Sequence, residues 1–238
     1  MSSGPHSRQS HRGRGSQPGI RARNRVSSRF ASRPSPVRYD RIPHKSRIER
    51  VAAALRTNGF EVSIVPDGPA AREEVLNHLS PSDEVLEAHS QTLRDVGLTG
   101  PDAPQGRYVR LRPRLEELAR QGLRNEKRRL GASPRVVIGS VQAVTESGHL
   151  VIASGSGSQL GPYSYGAERV IWVVGAQKIV RTFADALRRV EEYALPREDA
   201  RVRERGGSGS SINKLLVVRG EHQPQRALVV LVASPVGV

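Results

Sequence analysis

HLVIASGSGSQLGPYSYGAERVIWVVGAQK (149–178) contains two apolar runs separated by a stretch rich in glycine and serine. HLVIA and RVIWVVG have the length and branched composition of buried strands, and RVIWVVG is typical of a central strand in a parallel sheet. Both runs must pack into one core, so the stretch between them (153–166) is predicted to be a loop within a domain, not a linker. Trp172 is most simply a core residue.

Helix and strand patterns alternate along the chain on either side of this stretch. Ser46 and Glu49 have the spacing of a capping box, and the apolar residues that follow predict a helix over about 46–58 that ends at Gly59. Further strands are predicted at 61–65, 84–88, 213–220 and 226–234. This alternation favours an α/β fold with an open, mainly parallel sheet flanked by helices.

Two longer segments complete the predicted fold. PRLEELARQGLRNEKRRLG (113–131) predicts one long amphipathic helix, with a proline near its first turn and a glycine at its end. The strands NKLLVVRG (213–220) and RALVVLVAS (226–234) predict a hairpin that turns across EHQPQ. The basic cluster near the end of the long helix could bind an anion, although a solvated helix face is the more common arrangement.

The positive charge is concentrated at the N-terminus. Residues 1–45 contain ten arginines, Lys45 and one acid, Asp40, in a chain with a net charge of +15. This segment has no apolar periodicity, so we predict a disordered Arg-rich tail over 1–44 and one α/β domain over 45–238. Such a tail can bind nucleic acid or an anionic surface. The alternatives are a solvated segment without a partner, or a start assigned too far upstream.

The composition limits the kinds of chemistry that this chain can carry alone. It has no cysteine, and therefore no thiolate ligands for zinc or an ordinary iron–sulfur cluster. The seven histidines have no metal-binding spacing, so no metal site is expected. The longest apolar runs are far shorter than the roughly 20 residues that span a bilayer, and no secretory signal is apparent, so we expect a cytoplasmic protein.

The glycine-serine loop fits neither of two common phosphate-binding motifs. A P-loop requires a Lys-Ser/Thr pair that is missing here, and the glycines at 155, 157 and 161 do not have dinucleotide-binding spacing. A tight loop at a strand end remains, where backbone N–H groups and the hydroxyls of Ser154, Ser156 and Ser158 could hold an anion or polar ligand. A turn without a ligand is the alternative.

Three other positions are candidates for site residues. Lys178 follows the predicted strand RVIWVVG, and Asn213 opens a later strand. The carboxyl ends of parallel strands are where ligands bind in open α/β sheets, although either residue could equally lie on the surface. Glu146 lies in the turn TESG, where a carboxylate could act as nucleophile or base, but exposed turn glutamates are more common.

Three segments together resemble the lactate-utilization (LUD) domain family. They are GSVQAVTESGHLVIASGSGSQLGPYSYGAERVIWVVGAQKIV (139–180), ALRRVEEYALPREDAR (186–201) and SSINKLLVV (210–218). The resemblance covers about residues 46–238. It implies a fold similar to that of sugar-phosphate isomerases and CoA transferases, with a pocket at the strand ends.

The resemblance also implies a function. It points to an accessory or substrate-handling subunit that helps to oxidise L-lactate to pyruvate together with iron–sulfur partner proteins. No cofactor is then expected in this chain, and the iron–sulfur clusters belong to the partners. A small anionic substrate is the expected ligand.

Site residues follow from the resemblance position by position. The segment EAHSQTLRDVG keeps Ser90 and Thr92 of the family pattern, but it has Glu87 and His89 where small hydroxyl residues are expected. Glu87 would repel an anion unless it points away. TESG is also similar to a turn that carries the catalytic glutamate of CoA transferases. An alternative function is therefore a stand-alone CoA-transferase-like or sugar-phosphate-type enzyme that uses Glu146 and the 154–159 loop.

The expected ligand-binding residues belong to the strand-end loops, to the turn TESG before the apolar run HLVIA, and to the start of the strand NKLLVVRG. They are Ser90, Thr92, Thr145, Ser154, Gly155, Ser156, Gly157, Ser158, Gln159, Lys178 and Asn213.

Overall fold

A computed structural model describes residues 39–238 of the chain. The α-helices are α1 (Lys45–Thr57), α2 (Gly68–Asn77), α3 (Gln91–Asp95), α4 (Arg112–Arg120), α5 (Arg124–Ala132), α6 (Phe183–Arg189) and α7 (Leu195–Glu204). The first five strands are β1 (Glu61–Val65), β2 (Glu84–Glu87), β3 (Val109–Arg110), β4 (Val136–Gly139) and β5 (Ala143–Thr145). The other five are β6 (Leu150–Ser154), β7 (Arg169–Gly175), β8 (Ile179–Val180), β9 (Lys214–Val218) and β10 (Ala227–Val232).

The main sheet has six parallel strands in the order β1-β10-β7-β4-β2-β3. Strand β7 lies inside it, as its continuous apolar sequence predicts. Alternate residues of β7 face opposite sides, so Val170 and Trp172 pack in the core below α1, while Ile171 and Val173 pack with residues of α2 and α3. The predicted mainly parallel sheet flanked by helices is confirmed.

A second sheet has four strands in the order β8-β5-β6-β9, and it shares no strand with the main sheet. Strand β6 pairs antiparallel with both β5 and β9. The predicted hairpin between the last two strands is wrong, because β9 belongs to this sheet and β10 pairs with β1 and β7 in the main sheet. Every residue of β10 is buried, whereas β9 is exposed or half-buried, so the two strands suit different sheets.

Two predicted helix features also differ in the structure. The segment predicted as one long helix forms α4 and α5, separated at Gly122, which has a left-handed φ of 76°. Helix α1 begins one residue earlier than predicted, with the His44 side chain accepting a hydrogen bond from the Ser46 N–H. The predicted capping box at Ser46 is therefore wrong, while Gly59 ends the helix with a φ of 88°.

The predicted tail, 1–44, lies mostly outside the described residues. From Tyr39 onward the chain is described, and Tyr39 itself is buried beside Tyr193, with ring centroids 5.3 Å apart. Its neighbours include Val151 of β6 and Val190 in the turn after α6. In the stretch from 39 to 238, none of the helices has the length and apolar character needed to cross a membrane.

Candidate functional site

A cavity of about 1160 Å³ opens at the carboxyl ends of three adjacent strands, β2, β4 and β7. Ser90 and Thr92 follow β2, Ser140 follows β4, and Lys178 follows β7. Parallel strands bring their carboxyl ends to one edge of a sheet, so residues from three segments far apart in sequence meet there. Helices α4, α5 and α7 and the 154–159 segment form the remaining walls.

Lys178 lines the buried part of this cavity and is 2% exposed. Its Nζ donates hydrogen bonds to Thr92 Oγ1 at 2.7 Å, to Ser140 Oγ at 3.0 Å and to the carbonyl of Val141 at 3.2 Å. All three acceptors are uncharged. Among residues 39–238, no carboxylate lies within 4 Å of the Lys178 amino group.

Burial holds the pKa of Lys178 well below the usual value for lysine, and the nearby Arg189 guanidinium lowers it further. Asp95 acts in the opposite direction and is the smaller influence. A buried cationic group without an acidic partner is costly, because its charged form loses hydration. An incoming anion would supply the missing counter-charge.

Arg189 is a second buried cation close to this site, although it does not line the cavity. Its Nη1 donates to the carbonyl of Gln142, and its guanidinium lies 5.7 Å from the Tyr39 ring centroid and 5.0 Å from that of Tyr193. Burial lowers the pKa of Arg189 to about 10. The aromatic faces stabilise this cation, which forms no ion pair with a carboxylate of the described residues.

The 154–159 segment lines the cavity, but its own serines occupy some of its hydrogen-bonding groups. Ser154 Oγ accepts a hydrogen bond from the Gly157 N–H at 2.8 Å and donates to Gln159 Oε1 at 3.1 Å. Ser156 Oγ accepts from the Ser158 N–H at 3.3 Å. These two N–H groups hold the loop in shape, so the loop contributes mainly a rigid polar wall.

Three predicted site residues do not line the cavity. Asn213 supports the loop from outside, because its side-chain amide donates to the carbonyl of Gly155 at 3.1 Å. Thr145 Oγ1 accepts from the His149 N–H at 3.0 Å and so holds the turn between β5 and β6. Glu146 in that turn forms an ion pair of 2.7 Å with Arg47 of α1.

Glu87 points away from the cavity. Its carboxylate is fully buried, pairs with Arg110 and accepts a hydrogen bond of 3.3 Å from the Tyr108 hydroxyl. The ion pair with Arg110 offsets the negative charge by which Glu87 would repel an anion. His89 does line the cavity, and its Nε2 accepts a hydrogen bond of 2.7 Å from Arg112. Burial, and then the Arg112 charge, lower the pKa of His89.

Several cationic side chains line the cavity without having been predicted as site residues. Arg124, Lys127 and Arg128 of α5 do so, and Arg112 at the start of α4 joins them. Glu116 and Glu198 are the acids among the lining residues. The basic cluster was visible in the sequence, but only the break at Gly122 and the packing of α5 turn it toward the strand ends.

Tyr163 shapes the inner wall of the cavity. It is buried in the π-helical turn Pro162–Gly166, and burial raises the pKa of its hydroxyl. A Cβ atom on Gly139 would overlap that hydroxyl, which explains the glycine at the end of β4. No pattern in the sequence identified this contact, since the two residues belong to different elements.

The fold and the site define a class: an α/β protein with a large cationic cavity at the carboxyl end of an open parallel sheet. In the part of the chain that the structure describes, no group of three or more His, Asp or Glu residues is arranged to hold a metal ion. The LUD domain family model matches residues 48–232, so the chain belongs to the LUD domain family, which is associated with lactate utilization.

One solved structure similar to this chain is a DUF162 family protein from Deinococcus radiodurans. The two are 15% identical, the match covers 83% of this chain and 99% of that chain, and the TM-score is 0.48. No curated protein matches the chain significantly.

Proposed function

We propose that this protein is a substrate-handling subunit in the oxidation of L-lactate to pyruvate, and that its cavity binds the carboxylate of this small substrate. The observation that carries the proposal is the buried amino group of Lys178, which lies in the cavity with only uncharged acceptors. A carboxylate placed beside it would supply the opposite charge that the site lacks. Family membership supports the choice of lactate over other small anions.

The cavity offers two kinds of groups to a 2-hydroxy acid. Lys178 and the basic wall from α5 attract the carboxylate, while Thr92 and Ser140 provide hydroxyls next to the lysine that can bind the substrate's own hydroxyl or carbonyl oxygen. Because carboxylate binding stabilises the charged form of Lys178, it raises the pKa of that amino group. Binding is therefore accompanied by proton uptake when the free lysine is partly neutral.

Oxidation of L-lactate to pyruvate removes two electrons and two protons, and an acceptor must take the electrons. This chain has no cysteine, the residue that ordinarily holds an iron–sulfur cluster. We therefore assign electron transfer to iron–sulfur partner proteins and substrate handling to this chain.

The test is a pair of lysine variants, Lys178→Met and Lys45→Met. Lys45 is on α1, its side chain is 86% exposed, and it does not line the cavity, so it is a matched control for loss of one lysine. L-lactate and pyruvate binding would be measured by calorimetry on purified protein, and growth on L-lactate by complementing a deletion strain. We expect Lys178→Met to lose binding and growth, and Lys45→Met to retain both.

Two results would contradict the proposal. The deletion strain could grow normally on L-lactate, or Lys178→Met could bind and support growth as well as the unaltered protein does. Glu146→Gln separates the proposal from the CoA-transferase-like alternative, which requires that carboxylate as nucleophile. Because Glu146 pairs with Arg47 and does not line the cavity, we expect this variant to support growth on lactate.

A further inference from the structure

A second, smaller cleft adjoins the main cavity. It has a volume of about 150 Å³ and shares Ala88, His89, Ser90 and Arg112 with the larger one. The two spaces therefore meet along the segment that follows β2.

Five arginines line this cleft, and they come from separate parts of the chain. They are Arg94 of α3, Arg110 of β3, Arg112 of α4, Arg201 of α7 and Arg205 just after α7. Among the lining residues within 39–238, none has an acidic side chain. Such a concentration of like charge costs energy unless an anion is present.

Acidic neighbours outside the cleft compensate only some of these charges. Arg110 pairs with the buried Glu87, and Arg201 Nε lies 2.8 Å from Glu198 Oε2. Within residues 39–238, Arg94, Arg112 and Arg205 have no carboxylate within 4 Å. Arg112 instead donates to His89 Nε2 at 2.7 Å and to the carbonyl of Glu87, both neutral acceptors.

We infer that the arginine cleft is a binding site for a phosphoryl group. A guanidinium presents a planar pair of N–H donors that matches two oxygens of a phosphate, and several of them around a small concave space suit a tetrahedral dianion better than a single carboxylate. Because the cleft opens onto the main cavity, the phosphoryl group belongs to a ligand whose other end reaches that cavity. The inference that one ligand extends into both spaces rests on the proposed function, in which the main cavity binds a carboxylate.

The test measures three probes by calorimetry: inorganic phosphate, L-lactate and 2-phosphoglycolate, which carries a phosphoryl group and a carboxylate. The variant is Arg94→Gln with Arg205→Gln, since both side chains are on exposed residues and neither has an ion pair in the described region. The control is Arg50→Gln with Arg219→Gln, which removes two exposed arginines outside both spaces.

We expect the unaltered protein to bind inorganic phosphate, and the cleft variant to bind it at least tenfold more weakly, with L-lactate binding unchanged. The control variant and Lys178→Met should bind phosphate as the unaltered protein does. Phosphoglycolate should bind at least tenfold more tightly than phosphate, and Lys178→Met should remove that advantage.

Three outcomes would overturn the inference. In the first, the unaltered protein binds neither inorganic phosphate nor phosphoglycolate. In the second, the control variant weakens phosphate binding as much as the cleft variant does, which would indicate a general charge effect. In the third, phosphoglycolate binds no tighter than phosphate, which would contradict the inference that one ligand occupies both the cleft and the main cavity. Loss of lactate binding in Lys178→Met with phosphate binding intact distinguishes the two sites.

Discussion

The amino group of Lys178 is buried among two hydroxyls and a carbonyl, all of them neutral acceptors. Burial removes the water that stabilises an ammonium ion, so the folded state binds a proton at this residue less readily than the unfolded chain does. The position is costly for the fold, and the anion binding proposed for the cavity would offset that cost by supplying a counter-charge.

This difference predicts how stability depends on pH. The folded-state pKa of Lys178 lies well below the usual lysine value of 10.5, because the amino group is buried. Between the two pKa values the unfolded chain binds more protons, so the free energy of unfolding from this group rises with pH, by at most about 1.4 kcal/mol per pH unit. Lys178→Met lacks this contribution.

Urea unfolding of both proteins from pH 7 to pH 10 measures the effect. We expect the stability of the unaltered protein to increase with pH relative to Lys178→Met within this range, which ends below the pKa of an unfolded lysine. Parallel curves for the two proteins across this range would show that Lys178 keeps an ordinary pKa.

At the residue scale, the sequence predicts a site residue correctly placed at the sheet edge when its position relative to a strand end determines where it lies. Lys178 comes three residues after the end of a strongly apolar strand, and that placement brings it to the sheet edge where open α/β sheets commonly bind ligands. Glu146 is predicted as a site residue from the short turn TESG, but its position depends on how the β5–β6 turn meets α1, where Arg47 pairs with it. Contacts of that kind join distant segments and leave no local pattern.

At the element scale, Gly122 separates α4 from α5 and lets α5 present its basic side chains to the cavity. Its φ is 76°, and a Cβ atom there would meet no atom within 4 Å. The cost of Gly122→Ala is therefore conformational, since an L-residue in left-handed geometry is strained. We expect a loss of about 1 kcal/mol in the free energy of unfolding, measured by urea denaturation.

Gly161 is the matched control for this substitution. It too has open space around a hypothetical Cβ atom, but its φ is −59° in the right-handed helical region. Gly161→Ala should leave stability unchanged or raise it by about 0.4–1 kcal/mol, because alanine restricts the unfolded chain. Equal losses in both variants would mean that backbone conformation is not the cause.

The elements themselves were largely predictable, and their partners were less so. The apolar sequences of β7 and β10 identify buried strands, and the structure places both inside the parallel sheet. The sequence also identifies β9, but it does not say that β9 pairs with β6 in a separate sheet. Short chain separation favours a hairpin between β9 and β10, and only packing of the whole core overrides that preference.

At the scale of the whole molecule, Tyr39 ties the first described residues to the small sheet. It is buried, its ring contacts Tyr193, and the Arg189 guanidinium lies over it. Composition could not identify this residue as part of the core, because it follows a long segment without apolar periodicity. The folded region therefore includes Tyr39, which precedes the first segment with helical periodicity.

Tyr39→Ala should lower the free energy of unfolding by about 3 kcal/mol, since it removes a buried ring and leaves a cavity beside the Arg189 cation. Tyr165→Ala is the control, because Tyr165 is 90% exposed and its truncation should change stability by no more than about 0.5 kcal/mol. Urea unfolding of both variants measures the difference. Similar stability in the two variants would show that the folded domain does not depend on Tyr39.

Trp172, the single tryptophan of the chain, also gives the protein an optical reporter of its own. Its indole is buried in the main sheet, with its ring centroid 6.2 Å from that of Phe60 and 5.4 Å from that of Tyr163, which lines the cavity. An indole in apolar surroundings emits at shorter wavelength than one in water, so fluorescence follows unfolding from a single known position. Since one ring separates this emitter from the cavity, quenching or a shift of its emission can follow ligand titrations without a label.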